Sequence, residues 1–198
     1  VTTEKKDTQK THPLSLGQQD LWFLSQLSPE PYAYNIPLTI HIYSPVDVGA
    51  MKKAFQILID RHPALRTTFA QQDTEVVQRV HSSQEVSFES IEASIWNEQE
   101  LLNMVLEAHQ SPFDLERGSL LRVKLFTRSP QHHLLVLTIH HLIIDGWSLW
   151  VILDELQQLY AAEISGREIA LPPIEKDYLD YVYWEKEMLA SFVGEQLW

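Results

Sequence analysis

The stretch that most limits how this chain can fold is TIHHLIIDGWSLW, Thr138 to Trp150. At its start, Leu134 to Ile139 is an apolar run of strand length, interrupted only by Thr138. Behind it, Leu149 to Ile164 carries the spacing of an amphipathic helix. Between them stand two adjacent histidines, an aspartate and a glycine. Polar groups among apolar neighbours cost free energy unless each finds a partner. The segment therefore predicts a buried strand, a polar turn whose groups are all engaged, and a helix leaving that turn.

Neighbours on a strand face opposite ways, so His140 and His141 have different surroundings. One ring turns inward and is held structurally, and His140 is expected in that role. The other, His141, reaches a cleft, where an imidazole titrates near neutrality and suits proton transfer. Spacing alone leaves His141 as a catalytic group, a structural histidine or a metal ligand. His132 and His133 lie nearby in sequence, but His133 is eight residues from His141, about 25 Å along an extended strand. Asp145 either orients an imidazole or forms an ion pair with Arg66 or Arg122, which lie in otherwise apolar stretches. Gly146 is expected to permit a tight turn. Ser148 either caps the following helix or donates to a substrate oxygen. The helix N-terminus adds a partial positive potential that favours developing negative charge.

The rest of the chain reads as alternating helices and strands. Ser15 to Leu27 predicts a helix, opened by a Ser15/Gln18 capping box, with Leu16, Phe23, Leu24 and Leu27 as its apolar side. Tyr34 to Tyr43 predicts a strand that Pro37 pushes toward a sheet edge. Asp47 is expected to cap a helix over Val48 to about His62, with Met51, Ala54, Phe55, Leu58 and Ile59 inward. Leu65–Ala70 and Glu75–Val80 predict paired strands, and Leu120–Thr127 and His132–Ile139 a hairpin turning over Arg128 to Gln131. Glu98–Gln110 and Tyr178–Phe192 predict two more helices. Trp22, Phe23 and Trp184 are expected in the core, and Tyr178 and Tyr183 fit either core or site. The order predicts an α/β chain of the α+β type, with helices packed on a mostly antiparallel or mixed sheet. Residues 1–12 are polar and aperiodic and read as a linker.

Composition removes several functions. With no cysteine there is no disulfide, thiolate metal site or cysteine nucleophile. A net charge of -12 gives a nucleic acid little to bind. No run approaches a membrane span and the N-terminus is polar, so neither a transmembrane helix nor a signal peptide is expected. No P-loop, GxGxxG or GxSxG occurs.

With these residues in view, the chain resembles the condensation domains of non-ribosomal peptide synthetases. Ile139 to Ser148 is similar to that family's HHxxxDG signature with its trailing Trp147 and Ser148. LSLGQQDLWFLSQL (Leu14 to Leu27) is similar to SxAQxRLWFLxQL, RHPALRTTF (Arg61 to Phe69) to RHExLRTxF, and YLDYVYW (Tyr178 to Trp184) to YxDYAxW. YNIP at Tyr34 to Pro37 also fits. Gly17, Asp20 and Pro63 depart from the family pattern.

The resemblance implies a chloramphenicol-acetyltransferase-like lobe over residues 13–198, the N-terminal half of a two-lobed domain. It implies amide formation between an acyl or peptidyl thioester and an aminoacyl thioester. Both would be carried on the phosphopantetheine of partner carrier domains, with no cofactor or metal of the lobe's own. Ester formation, epimerisation or a non-catalytic carrier-binding platform are the alternatives. The implied partners are upstream and downstream carrier domains, the C-terminal lobe and an adjacent adenylation domain, in the cytoplasm. On the implied roles, His141 takes a proton from the attacking amine or holds it. Asp145 salt-bridges Arg66, His140 is structural, and Gly146 keeps the site open.

Overall fold

The computed structural model describes residues 10–191. Its elements in chain order are β1 (Thr11–Pro13), α1 (Leu16–Leu27), β2 (Asn35–Ile42), α2 (Val48–Arg61), β3 (Thr67–Gln72), β4 (Glu75–Val80), β5 (Ser87–Glu92), α3 (Glu98–Gln110), β6 (Leu121–Ser129), β7 (His132–His140), α4 (Gly146–Ser165) and α5 (Tyr178–Leu189). Four strands form one sheet in the order β2-β7-β6-β5, and three form another in the order β1-β4-β3. All pairs are antiparallel except β5 with β6, so the larger sheet is mixed.

The run before the two histidines is buried at every position because the large sheet is covered on both faces. Leu135, Leu137 and Ile139 of β7 join a core with Phe55, Leu58 and Ile59 of α2 and Ile152, Leu156 and Leu159 of α4. Leu134 and Val136, of opposite parity, pack with Leu101, Val105 and Ala108 of α3. β2, which contains Pro37, is an edge strand, where a missing backbone donor is tolerated. Asp47 caps α2 through the Ala50 amide, and the five predicted inward residues of α2 are all buried. α4 ends at Gly166, whose φ of 63° places it in the left-handed region that stops helices.

Several expectations are corrected. Residues 1–9 of the expected linker lie outside the described residues, but Thr11 and His12 belong to β1, paired with β4. A three-residue strand is too short to show alternation. β5 was not anticipated either; its edge position leaves most of it exposed, which hides the apolar pattern. Leu65 and Arg66 lie in a 3-10 turn, Pro63–Arg66, rather than in β3. The β6–β7 turn shrinks to Pro130 and Gln131. Phe192, placed in the last helix, lies outside the described residues.

The larger correction concerns α1. Leu16, Phe23, Leu24 and Leu27 are exposed, and the inward stripe is Gln18, Leu21 and Trp22. Both sets have helical spacing, so periodicity alone could not choose between faces. Phe23 and Trp184, expected in the core, are more than half exposed. Among the described residues no helix is long and apolar enough to cross a membrane.

Candidate active site

β7 delivers the two histidines to the end of the large sheet. His140 is buried. Its backbone amide donates to Leu120 O (2.9 Å), and its Nδ1 accepts from the Leu142 amide at 3.2 Å. Its ring meets Phe113 edge-on at 6.1 Å. Burial, with a smaller contribution from the neighbouring His141, lowers the His140 pKa to about 4. His140 is therefore a neutral acceptor around neutral pH.

His141 is exposed, and its backbone amide donates to Tyr34 O at 2.9 Å. Its ring lines a cavity of about 460 Å³. The walls come from α1 (Gly17, Leu21), the turn after α2 (His62, Leu65), the His141–Ser148 segment, and the start of α5 (Tyr178, Tyr181). Among the described residues, no three His, Asp or Glu side chains are grouped as a metal site would need.

Asp145 is the N-cap of α4 and accepts from the Ser148 amide at 2.7 Å. Bonds from Ser148 are the main cause of its lowered pKa, helped by Trp147 and His141 and opposed by partial burial. The cap is thus Asp145, not Ser148. Trp147 and Ser148 both line the cavity, and Trp147 is 81% exposed. A methyl group added at Gly146 would meet nothing within 4 Å, and the residue has no left-handed φ. Glycine here serves open space over the helix start rather than a strained turn.

The expected Asp145–Arg66 ion pair is not formed. Arg66 donates instead to the carbonyl of His81, and its Nε is buried with no hydrogen-bond partner among the described residues. Arg122 is also engaged elsewhere, on the carbonyls of Ser111 and Pro112 and over the Phe113 ring at 3.8 Å. The Asp145 carboxylate is already engaged at the helix start. Replacing Asp145 by alanine should then cost about 1 kcal/mol, the worth of an N-cap. In a double-mutant cycle with Arg66→Ala, the two losses should add within about 0.5 kcal/mol. A coupling several times larger, read from denaturant unfolding, would restore the ion pair.

The neutral state of His140 sets a second expectation. Above pH 6.5, the ordinary histidine value, folded and unfolded chains are both neutral there and no penalty arises. As pH falls below 6.5 the unfolded chain takes the proton first, so stability is lost down to about pH 4. The loss from this one group is roughly 3 kcal/mol. His140→Asn keeps an acceptor for the Leu142 amide and removes the titration. Its unfolding free energy should fall less steeply than the wild type's over this window, and equal slopes would contradict the assignment.

Two contributors to the site are not anticipated from the sequence, and the place of a third is left open by it. Gln18 is buried and donates to Leu142 O at 3.1 Å. Tyr178, left between core and site, lines the cavity and bonds Ser15 Oγ through its hydroxyl at 2.8 Å. Burial is the largest cause raising its pKa. Glu155 of α4 accepts both from Arg61 Nε (3.1 and 3.2 Å) and from His62 Nε2 (2.6 Å), bracing the His62 wall. A glutamate on the Ile152–Leu156–Leu159 face of a helix is the signal that was available for it. Tyr183 pairs with His12 at 2.9 Å and does not line the cavity.

Residues 8–196 match the sequence profile described as the condensation domain. The chain belongs to the condensation-domain family. It is 39% identical over 188 residues to a linear gramicidin synthase of Brevibacillus parabrevis, covering 93% of this chain and 2% of that protein. It is 35% identical over 190 residues to surfactin synthase subunit 2 of Bacillus subtilis, covering 96% of this chain and 5% of that protein. Among solved structures, it superposes on the starter condensation domain of rhizomide synthetase RzmA with a TM-score of 0.83 at 23% identity, covering 92% of this chain and 42% of that one. It also superposes on the complex of the X-domain and OxyB from teicoplanin biosynthesis (TM-score 0.83, 28% identity, 99% of this chain and 40% of that one). This condensation-domain chain thus spans under half of those solved chains and a few per cent of the curated relatives.

Proposed function

We propose that this chain is the N-terminal half of an amide-forming condensation domain working on carrier-bound substrates. One observation carries the reading: in a member of this family, His141 is exposed, lines a cavity and has no side-chain hydrogen bond among the described residues. Its backbone is held by the rest of the fold.

The chemistry needs little from a side chain. A free α-amine titrates near pH 8, so about a tenth of it is already nucleophilic at pH 7 and about half at pH 8. The amine nitrogen attacks the thioester carbonyl, the C–N bond forms, the C–S bond breaks, and a proton passes from nitrogen to the departing thiolate. His141 takes that proton or holds the amine in line. Aligning two tethered reactants supplies much of the remaining acceleration. His140 stays neutral and structural, Asp145 fixes the start of α4, and the space over Gly146 admits the reacting carbonyl.

The phosphopantetheine arms belong to the partner carrier domains, upstream and downstream, and enter as substrate. A second lobe covers the exposed apolar groups Phe23, Leu24 and Leu27 of α1 and Trp147 and Trp150 of α4. The greater length of the similar solved chains supports this. A second reading, a docking platform without chemistry, is favoured by the likeness to an X-domain solved in complex with another protein, OxyB.

Mass analysis of the carrier-bound product from the intact protein separates the readings. An amide is expected. An ester or an inverted stereocentre would move the chain to another branch of the family, and no product would favour the platform.

A further inference from the structure

We infer that Gln18 is a positioning residue for His141, clamping the turn that presents the imidazole to the cavity. The inference rests on the amide-forming reading above and adds a residue to it.

The backbone around His141 is held from three sides. The His141 amide donates to Tyr34 O at 2.9 Å, on the edge strand side. The next residue, Leu142, is fixed at both ends: its amide donates to His140 Nδ1 at 3.2 Å, and its carbonyl accepts from Gln18 Nε2 at 3.1 Å. Ile143 then closes the turn onto His140 O at 3.1 Å. Gln18 is the one member of this clamp that comes from a different element as a side chain, and it is 4% exposed.

Only an amide side chain meets all of its partners. Gln18 Oε1 accepts from the Ser15 amide and from Gln78 Nε2, both at 3.2 Å. With two donors on the oxygen, the NH2 group must face the Leu142 carbonyl; a flipped amide would set donors against donors. Gln78 is itself buried and also donates to Pro13 O at 2.8 Å, which anchors the assembly on β1. Ser15 Oγ, in turn, bonds the Tyr178 hydroxyl on the opposite cavity wall at 2.8 Å. One hydrogen-bonded chain, buried at Gln18 and Ser15 and open to solvent at Tyr178, therefore runs from the His141 turn to Tyr178.

Gln18 also completes the capping box of α1, and that role alone would explain a buried glutamine. The two roles use different atoms. Capping needs Oε1 as an acceptor, whereas holding Leu142 needs Nε2 as a donor. Gln18→Glu keeps the first and removes the second while the carboxyl is ionised. Burial raises a carboxyl pKa, and the protonated acid regains a donor for Leu142 O.

The test is the steady-state rate of amide formation by the intact protein with loaded carrier domains. Near pH 8, Gln18→Glu should lower kcat roughly 10- to 100-fold, the scale of a misplaced catalytic group. KM for the carrier should stay within about twofold, since binding is not what is lost. Lowering the pH toward about 6 should restore the variant relative to wild type. Gln18→Met, with no donor or acceptor, should be impaired without pH recovery. Gln18→Asn, one methylene too short to reach Leu142 O, gives the same kcat loss without a buried charge and replaces the glutamate variant if that fails to fold. Wild-type kcat in the glutamate and asparagine variants, with His141→Ala inactive, would overturn the positioning role and leave the functional reading standing. Undiminished amide formation by His141→Ala would overturn both.

Discussion

Replacing His141 by alanine is expected to slow amide formation by roughly 100- to 10,000-fold, the usual contribution of a positioned proton-handling group. The melting temperature should move by no more than about 2 °C. The two halves of this result come from the same geometry. His141 is exposed and makes no side-chain hydrogen bond among the described residues, so the fold loses little with it. The backbone at that position is held by Tyr34, and the next residue by His140 and Gln18, none of which the substitution removes. A variant that lost both activity and stability would make His141 a structural residue. One that lost neither would take the chemistry away from this cavity.

That division between ring and backbone was partly legible in the sequence. Strand alternation separates His140 from His141, and the long apolar run forces one of them into the core. The same reasoning placed α2 correctly, because its five inward residues include no polar decoy. It failed on α1, where the buried stripe contains Gln18 and the exposed stripe is leucine and phenylalanine. A polar residue that is buried because it has three partners looks, from sequence, like a surface residue. The Asp145–Arg66 pair failed for a related reason. A charged residue in an otherwise apolar stretch suggests an ion pair, but a helix start competes for the same carboxylate, and here the Ser148 amide takes it. β1 is invisible in the sequence because three residues are too few to show alternation, and β5 because an edge strand exposes much of its length.

The largest effect on stability is expected at Glu155. Its carboxylate lies between Arg61 and His62, with side-chain exposures of 11% for Glu155, 19% for Arg61 and 20% for His62. Arg61 also reaches the Pro172 carbonyl, in the connection that leads to α5. Replacing Glu155 by alanine leaves the Arg61 guanidinium without its anion in a largely desolvated place, which should cost about 3 kcal/mol. The loss should shrink in the Arg61→Ala background, because the stranded charge is then gone too. Denaturant unfolding of the two single variants and the double variant measures this directly. Strictly additive losses would mean the contact contributes nothing of its own. Because His62, the start of α4 and Ile174 of the connection to α5 all border the cavity, the single variant should also lose activity, in proportion to the unfolded fraction.

The most direct measurement is a labelling experiment. A carrier domain loaded with a pantetheine arm ending in a haloacetyl group delivers an electrophile wherever the thioester normally sits. Peptide mapping of the intact protein after reaction should find the alkylated residue at His141, with activity lost in step with labelling. Label on exposed histidines such as His41, with activity intact and His141 unmodified, would contradict the claim that tethered substrates meet this imidazole.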